Sequence, residues 1–104
     1  MIAREEILEN LKEGICRITF RKVTDGKFRI LYGTLFQEDV PHIEKDKLML
    51  MEILSAKKNP NLLIVWDVVN NGWRSFYINT IFIFFFYYVT NSMTTIYFLS
   101  NRIV

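Results

Sequence analysis

Side chains able to do covalent or acid–base chemistry are scarce in this chain, which has one histidine, His42, and one cysteine, Cys16. Catalysis of that kind needs a nucleophile, a base and an orienting group that converge. No nucleophile-elbow or zinc-protease motif occurs, and the glycines at 14, 26, 33 and 72 are too dispersed to form a phosphate-cradling loop. His42 follows Pro41 and reads as a solvated loop residue. Cys16 lies on the apolar parity of a strand and reads as a small core residue. The acidic Glu5-Glu6 and Glu38-Asp39 pairs, with Glu44 and Asp46, suit wet helical or loop surfaces. The expectation is therefore no enzyme, no catalytic residue, no metal and no cofactor.

Cationic side chains give a stronger signal. Arg17, Arg21, Lys22, Lys27 and Arg29 cluster around the single carboxylate of Asp25, whereas the whole chain carries a formal charge of only +2. By strand parity Arg17 and Arg21 share a face, and the opposite strand is expected to bring Arg29 to them. Such a patch could neutralise phosphates, or simply be the solvated side of a half-buried sheet. Downstream, Trp73 and Tyr77 alternate on one side of a strand, as possible stacking platforms or core-edge residues. Arg74 takes the other side with Phe76 and Ile78. A guanidinium on an apolar parity needs a carboxylate, carbonyls or a ligand. Two readings stay open for Arg74: a pair with Asp67 on the neighbouring strand, or ligand recognition.

The elements that must position these groups are legible in the periodicity. Ile7, Leu8 and Leu11 recur at helical spacing within residues 4–13, with Glu5 and Glu6 at the favourable end and Gly14 as a stop. Residues 15–23 alternate with period two, placing Cys16, Ile18 and Phe20 opposite Arg17, Thr19 and Arg21. Thr24-Asp25-Gly26-Lys27 is a turn, and Phe28, Ile30 and Tyr32 alternate against Arg29 in a second strand that Gly33 ends or bulges. Residues 34–41 form an irregular crossing before Pro41. Helical periodicity covers residues 43–56, with Leu50 and Leu54 sharing a face with Ile43, and Ile53 nearby. A hairpin spans residues 62–78, its arms joined at Asn70-Asn71-Gly72.

After Arg74 the composition changes. From Ser75 to Asn101 there is no charged side chain, and residues 81–89 are uninterruptedly apolar. A spanning helix needs about 20 predominantly apolar residues, and extending this run meets Thr90, Asn91, Ser92, Thr94 and Thr95. Aromatic and β-branched residues favour a final strand at 81–89, or starting from Tyr77, with 96–99 packing afterward. A membrane segment and a non-native read-through tail are the competing readings. The division expected is a barrel domain over residues 1–81 and an apolar tail over 82–104. At 104 residues one core is expected. The lone cysteine and an N-terminus without the basic-then-apolar pattern of a signal peptide point to the cytoplasm.

Leu63-Ile64-Val65-Trp66-Asp67, the Asn-Asn-Gly turn and Trp73-Arg74-Ser75-Phe76-Tyr77-Ile78-Asn79 resemble the WYL-type, Sm-like SH3 β-barrel proteins of tailed bacteriophages. The likeness extends upstream through Gly14-Ile15-Cys16-Arg17-Ile18-Thr19-Phe20, Thr34-Leu35 and Val40-Pro41, covering most of residues 4–81. It implies a mainly β (α+β), SH3-like barrel with a short N-terminal helix and a second helix between strand pairs. By analogy with WYL domains of bacterial regulators, it also implies nucleic-acid or anionic-ligand binding. Arg74 matches the Arg-x-Phe-x-Leu-Asp-x-Ile ending of those domains. Tyr77 and Thr80 stand where basic side chains are common, and Asn79 where Asp is usual.

The function expected is a phage accessory or regulatory module, in the host cytoplasm, that contacts nucleic acid or another anion through Arg17, Arg21, Lys22, Lys27, Arg29 and Arg74, with Trp73 and Tyr77 as aromatic contacts. The alternative is a protein-interaction module that docks on a host or phage protein, using barrel edges and the surface around Trp73 and Tyr77. A membrane partner is not expected.

Overall fold

The computed structural model describes the backbone of residues 3–89 and 94–100 and the side chains of residues 3–86. Helix α1 (Arg4–Glu13) buries Ile7 and Leu11, the two residues of its apolar stripe that face the sheet most directly. Arg4 fastens its start: Nη1 donates to the carbonyls of Pro60 (2.9 Å) and Leu62 (2.7 Å), and Nη2 to Ser55 Oγ (3.2 Å). Behind the helix, the buried Thr34 hydroxyl donates to the Gly14 carbonyl (2.8 Å) and accepts from the Phe36 N–H (3.0 Å). Polar groups in the joint between helix and sheet are thus paired, as burial requires.

Six strands form one antiparallel sheet, β1 (Ile15–Arg21), β2 (Phe28–Thr34), β3 (Leu62–Asp67), β4 (Gly72–Tyr77), β5 (Ile81–Val89) and β6 (Thr94–Ser100), in the order β4-β3-β2-β1-β5-β6. No ladder joins the edge strands β4 and β6 among the described residues, so backbone hydrogen bonds leave the barrel open there. A 3₁₀ turn (Ile78–Thr80) carries β4 into β5. The core gathers Ile7 and Leu11 from α1, Cys16 and Ile18 from β1, and Leu63 and Val65 from β3. Phe84 and Phe86, from the apolar tail, are buried in it as well. Burial of each such phenylalanine contributes roughly 1.5–3 kcal/mol. Within that tail, residues 90–93 and 101–104 lie outside the described residues. Among the described residues no helix is long and apolar enough to cross a membrane.

Several local expectations change. In β2 the buried face is Leu31 and Gly33, while Phe28 and Ile30 are exposed. The reason is register: Arg21 pairs with Phe28, Ile18 with Leu31 and Cys16 with Gly33, and directly opposed residues share a face. Gly33 does not end the strand. A Cβ there would lie 2.7 Å from Val65 Cγ2, so only hydrogen fits between the two strands. In the second hairpin, β3 stops at Asp67 and β4 begins at Gly72, and Asn71, at φ 53°, takes the left-handed position. Asn tolerates that region through its short polar side chain.

The helix expected over 43–56 is a 3₁₀ turn (His42–Lys47) followed by α2 (Leu48–Lys58). Its inward contacts come from Ser55, buried, and Leu48, packed against the core. The face carrying Ile43, Leu50, Ile53 and Leu54 points to solvent.

Candidate nucleic-acid interface

The cationic residues of the first hairpin divide between two faces of the sheet. Arg17 pairs across the ladders with Tyr32 and Phe85, and Arg21 with Phe28, on the outer face of β1, β2 and β5. Arg29 pairs with Phe20 on the opposite, inward face, so it does not join Arg17 and Arg21 as parity alone suggests. Residues 22–27 close the hairpin through hydrogen bonds from Lys22 N to Lys27 O (2.8 Å) and from Gly26 N to Lys22 O (2.9 Å). With that closure Arg21 and Phe28 are the first opposed pair, and every later pair follows from it.

On the outer face each arginine lies over a ring. The guanidinium carbon of Arg21 is 4.8 Å from the Phe28 centroid, and that of Arg17 is 5.9 Å from the Phe85 centroid. Both lie within the range of cation–π attraction. Arg17 Nε is buried and has no hydrogen-bond partner among the described residues.

A β-bulge then completes an aromatic cleft. Thr19 pairs with Ile83 but Phe20 pairs with Ile81, leaving Phe82 as the extra residue on β5. Simple alternation from Phe84 would turn Phe82 inward and Ile81 outward. The bulge reverses this, burying Ile81 and exposing Phe82. The Phe82 ring stands 5.3 Å from that of Phe28, tilted at 56°. Phe28 and Phe82, with Arg21, Lys22, Asn79 and Thr80, line a cleft of about 540 Å³ that has no carboxylate in its wall.

The second cleft, about 330 Å³, opens at the mouth of the barrel and is lined by Lys22, Arg29, Arg74, Asp67, Asn70 and Ser75 among others. Phe20 contributes from β1, its ring 5.7 Å from that of Phe76. Lys22 borders both clefts. Of the two readings left open for Arg74, the pair with Asp67 is present. Its Nε is 3.7 Å from Asp67 Oδ2, a long ion pair, while its side chain is 57% exposed and lines the cleft.

Asp67 is occupied mainly with the turn. Oδ1 accepts from the N–H groups of Val69 and Asn70 (both 3.0 Å), and Oδ2 from Asn70 Nδ2 (2.8 Å). Burial pushes its carboxyl up, but the Asn70 and Val69 hydrogen bonds and the Arg74 charge outweigh that and hold it below the usual carboxylate range. Asp25 likewise serves its own turn, accepting from Lys27 N–H (2.9 Å) and pairing with Lys22 Nζ at 3.4 Å. That backbone hydrogen bond, helped by the Lys22 and Arg29 charges, lowers its pKa. Among the described residues no carboxylate lies within 4 Å of Arg17, Arg21, Lys27 or Arg29.

Lys27, Trp73 and Tyr77 line neither cleft. Trp73 packs edge-on against Trp66 at 5.3 Å and its Nε1–H donates to Glu44 Oε2 (3.2 Å), joining the hairpin to the 3₁₀ turn before α2. A ring committed in this way is not an open stacking platform. Tyr77 is partly exposed opposite Leu62, at the other end of the β3–β4 ladder from Asp67. The aromatic contacts of the candidate interface are therefore Phe28 and Phe82, which the sequence reading did not single out. The exposed Phe28 could have been found from its pairing with Arg21, but the bulge at Phe82 has no local sequence signal.

Cys16 is fully buried, and burial with the nearby Glu13 charge raises its thiol pKa far above the ordinary value. Among the described residues no cluster of three metal-ligating side chains occurs.

Strand order, the 3₁₀ link between β4 and β5 and the helix-covered core define a small Sm-like SH3 barrel, open along one seam. The chain belongs to the WYL_2 family, of Sm-like SH3 beta-barrel fold, whose model matches residues 4–82. No curated protein and no solved structure matches the chain.

Proposed function

We propose that this domain binds single-stranded nucleic acid, with a base against Phe28 and Phe82 and phosphates on Arg21, Lys22 and the mouth cleft beyond. The observation that carries this reading is the carboxylate-free aromatic cleft, in which an arginine lies over one of two exposed, tilted rings. Single strands are held by this combination, because each base offers a π-face and each phosphate a charge. Lys22, shared by both clefts, offers a phosphate contact between them.

The mode of action is binding rather than catalysis. The only thiol is buried with its pKa raised, which removes it as a nucleophile. The setting is that of a phage accessory or regulatory module in the host cytoplasm, as the resemblance implies. Fluorescence anisotropy with labelled single-stranded DNA, single-stranded RNA and duplex tests it. Single strands should bind more tightly than duplex, and log affinity should fall against log salt by about 0.7 per phosphate contacted. Absence of binding at low ionic strength, or affinity indifferent to Arg21→Glu, overturns the reading.

A protein-docking function is favoured by a different observation, the apolar outer side of α2. It is built from α2 and not from Trp73 and Tyr77, which were first expected to serve that role.

A further inference from the structure

Helix α2 is apolar on both sides, although the fold covers only one. Ser55 and Leu48 face inward, and on the opposite side Met49, Leu50, Ile53 and Leu54 are 73%, 50%, 44% and 42% exposed. At 3.6 residues per turn, positions 46, 49, 50, 53 and 57 fall on one flank, with 54 beside them. Lys47 and Leu48 both hold right-handed helical angles, so the 3₁₀ turn bearing Asp46 runs directly into α2. The outward flank therefore begins with exposed Asp46, passes four apolar side chains, and ends with exposed Lys57. Glu52 lies on another side and is paired with Lys12 at 2.9 Å.

We infer that this flank is a homodimer interface in which two α2 helices pack antiparallel about a two-fold axis passing between Leu50 and Ile53. A two-fold contact requires one surface that complements itself, and the charge order here does so only when the helices run in opposite directions. Leu50 of one copy then meets Ile53 of the other, Met49 meets Leu54, and Asp46 meets Lys57. A parallel arrangement would set Asp46 against Asp46 and Lys57 against Lys57. Antiparallel packing also opposes the helix dipoles.

Area points the same way. With Ile43 one turn earlier, the exposed apolar side chains amount to on the order of 500 Å² per copy, within the range of the largest patch on a typical monomer, which is often functional. Two copies together would bury about 1,000 Å², the lower bound for a specific interface. The dimer is accordingly one that dissociates on dilution. Methionine at its margin adapts to the facing side chains. None of the residues lining the two basic clefts lies on α2, so the paired flank uses none of them. The inference stands independently of the nucleic-acid reading.

Sedimentation velocity of the full chain over a concentration series is the test. A reversible monomer–dimer shift is expected. Leu50→Glu with Ile53→Glu should raise the dissociation constant at least about 100-fold while the melting curve is kept, since both side chains are already half in water. Asp46→Lys should weaken the dimer on the order of tenfold, and adding Lys57→Glu to it should restore pairing. A wild-type monomer at every concentration, an open-ended series of larger species, or a dimer that survives the double glutamate variant overturns the inference. A dimer indifferent to Asp46→Lys overturns the antiparallel register.

Discussion

The two basic clefts of this barrel share Lys22 and differ in almost everything else. The outer cleft is walled by Phe28, Phe82 and Arg21 and has no carboxylate. The mouth cleft has Lys22, Arg29 and Arg74, but also Asp67, which lies 3.7 Å from Arg74 and anchors the neighbouring turn. In the outer cleft Arg21 has no carboxylate partner among the described residues and Lys22 is shared with Asp25 of its own turn, whereas in the mouth cleft Arg74 is held by a carboxylate that stands in the cleft wall itself. A count of arginines would rank the mouth cleft first. Counting only those without a carboxylate partner among the described residues makes the two equal, with Arg21 in one and Arg29 in the other.

The largest effect that separates the two clefts is on stability. Asp67→Ala removes a buried acceptor of three hydrogen bonds and should cost about 2–4 kcal/mol in urea unfolding. Phe28→Ala, on the half-exposed outer face, should stay within about 0.5 kcal/mol. Similar losses in the two variants would show that the outer cleft is structural as well.

Next in size is binding. Phe28→Ala should weaken single-strand affinity by about 1–3 kcal/mol, the worth of one stacked base, and Phe28→Trp should retain or improve it. Anisotropy titrations at one fixed salt concentration measure both. A smaller contrast concerns the cations. Arg21→Gln should lower the salt slope by about 0.7, and Arg74→Gln by less, because Asp67 already screens that guanidinium. Equal changes in slope would erase the distinction between the clefts.

Acid supplies the mildest probe. Asp67 has a folded-state pKa below its unfolded value of about 3.9. The stability it contributes is therefore present above the unfolded value and is lost as pH falls through the folded one. Asp25 shifts in the same direction. Unfolding free energy should accordingly decline below about pH 4 in the wild type, and less steeply in Asp67→Asn. A parallel decline in both proteins would assign the acid sensitivity elsewhere.

Much of the fold was legible in the chain. The α1 stripe, both hairpins and the strand at 81–89 follow from periods of 3.6 and 2 and from turn residues, which act over a few neighbours. The helix region was legible only in part. Continuous apolar residues at 48–51 mark no single face, and the side turned outward is the one expected to be shared by Leu50, Leu54 and Ile43. In β2 the large side chains of Phe28 and Ile30 suggested an inward face, but pairing put Leu31 and Gly33 there. Trp73 was readable either as a stacking platform or as a core-edge residue, because its partners, Trp66 and Glu44, come from an adjacent strand and from a turn far away in sequence.

Although residues 96–99, expected only to pack, belong to a sixth strand, the sequence by itself determined where β1 to β5 and the turns of the two hairpins occur, that the first hairpin is basic, and that Arg74 falls on an apolar parity. These are properties of short segments, set by side-chain alternation and backbone preference. Only the tertiary structure decided which cations share a cleft. A one-residue change of register moves a side chain to the opposite face, so the closure of the first hairpin sent Arg29 toward Arg74 rather than Arg21. The bulge in β5 likewise brought Phe82 out beside Phe28. Both outcomes depend on pairing between strands, which no local pattern specifies.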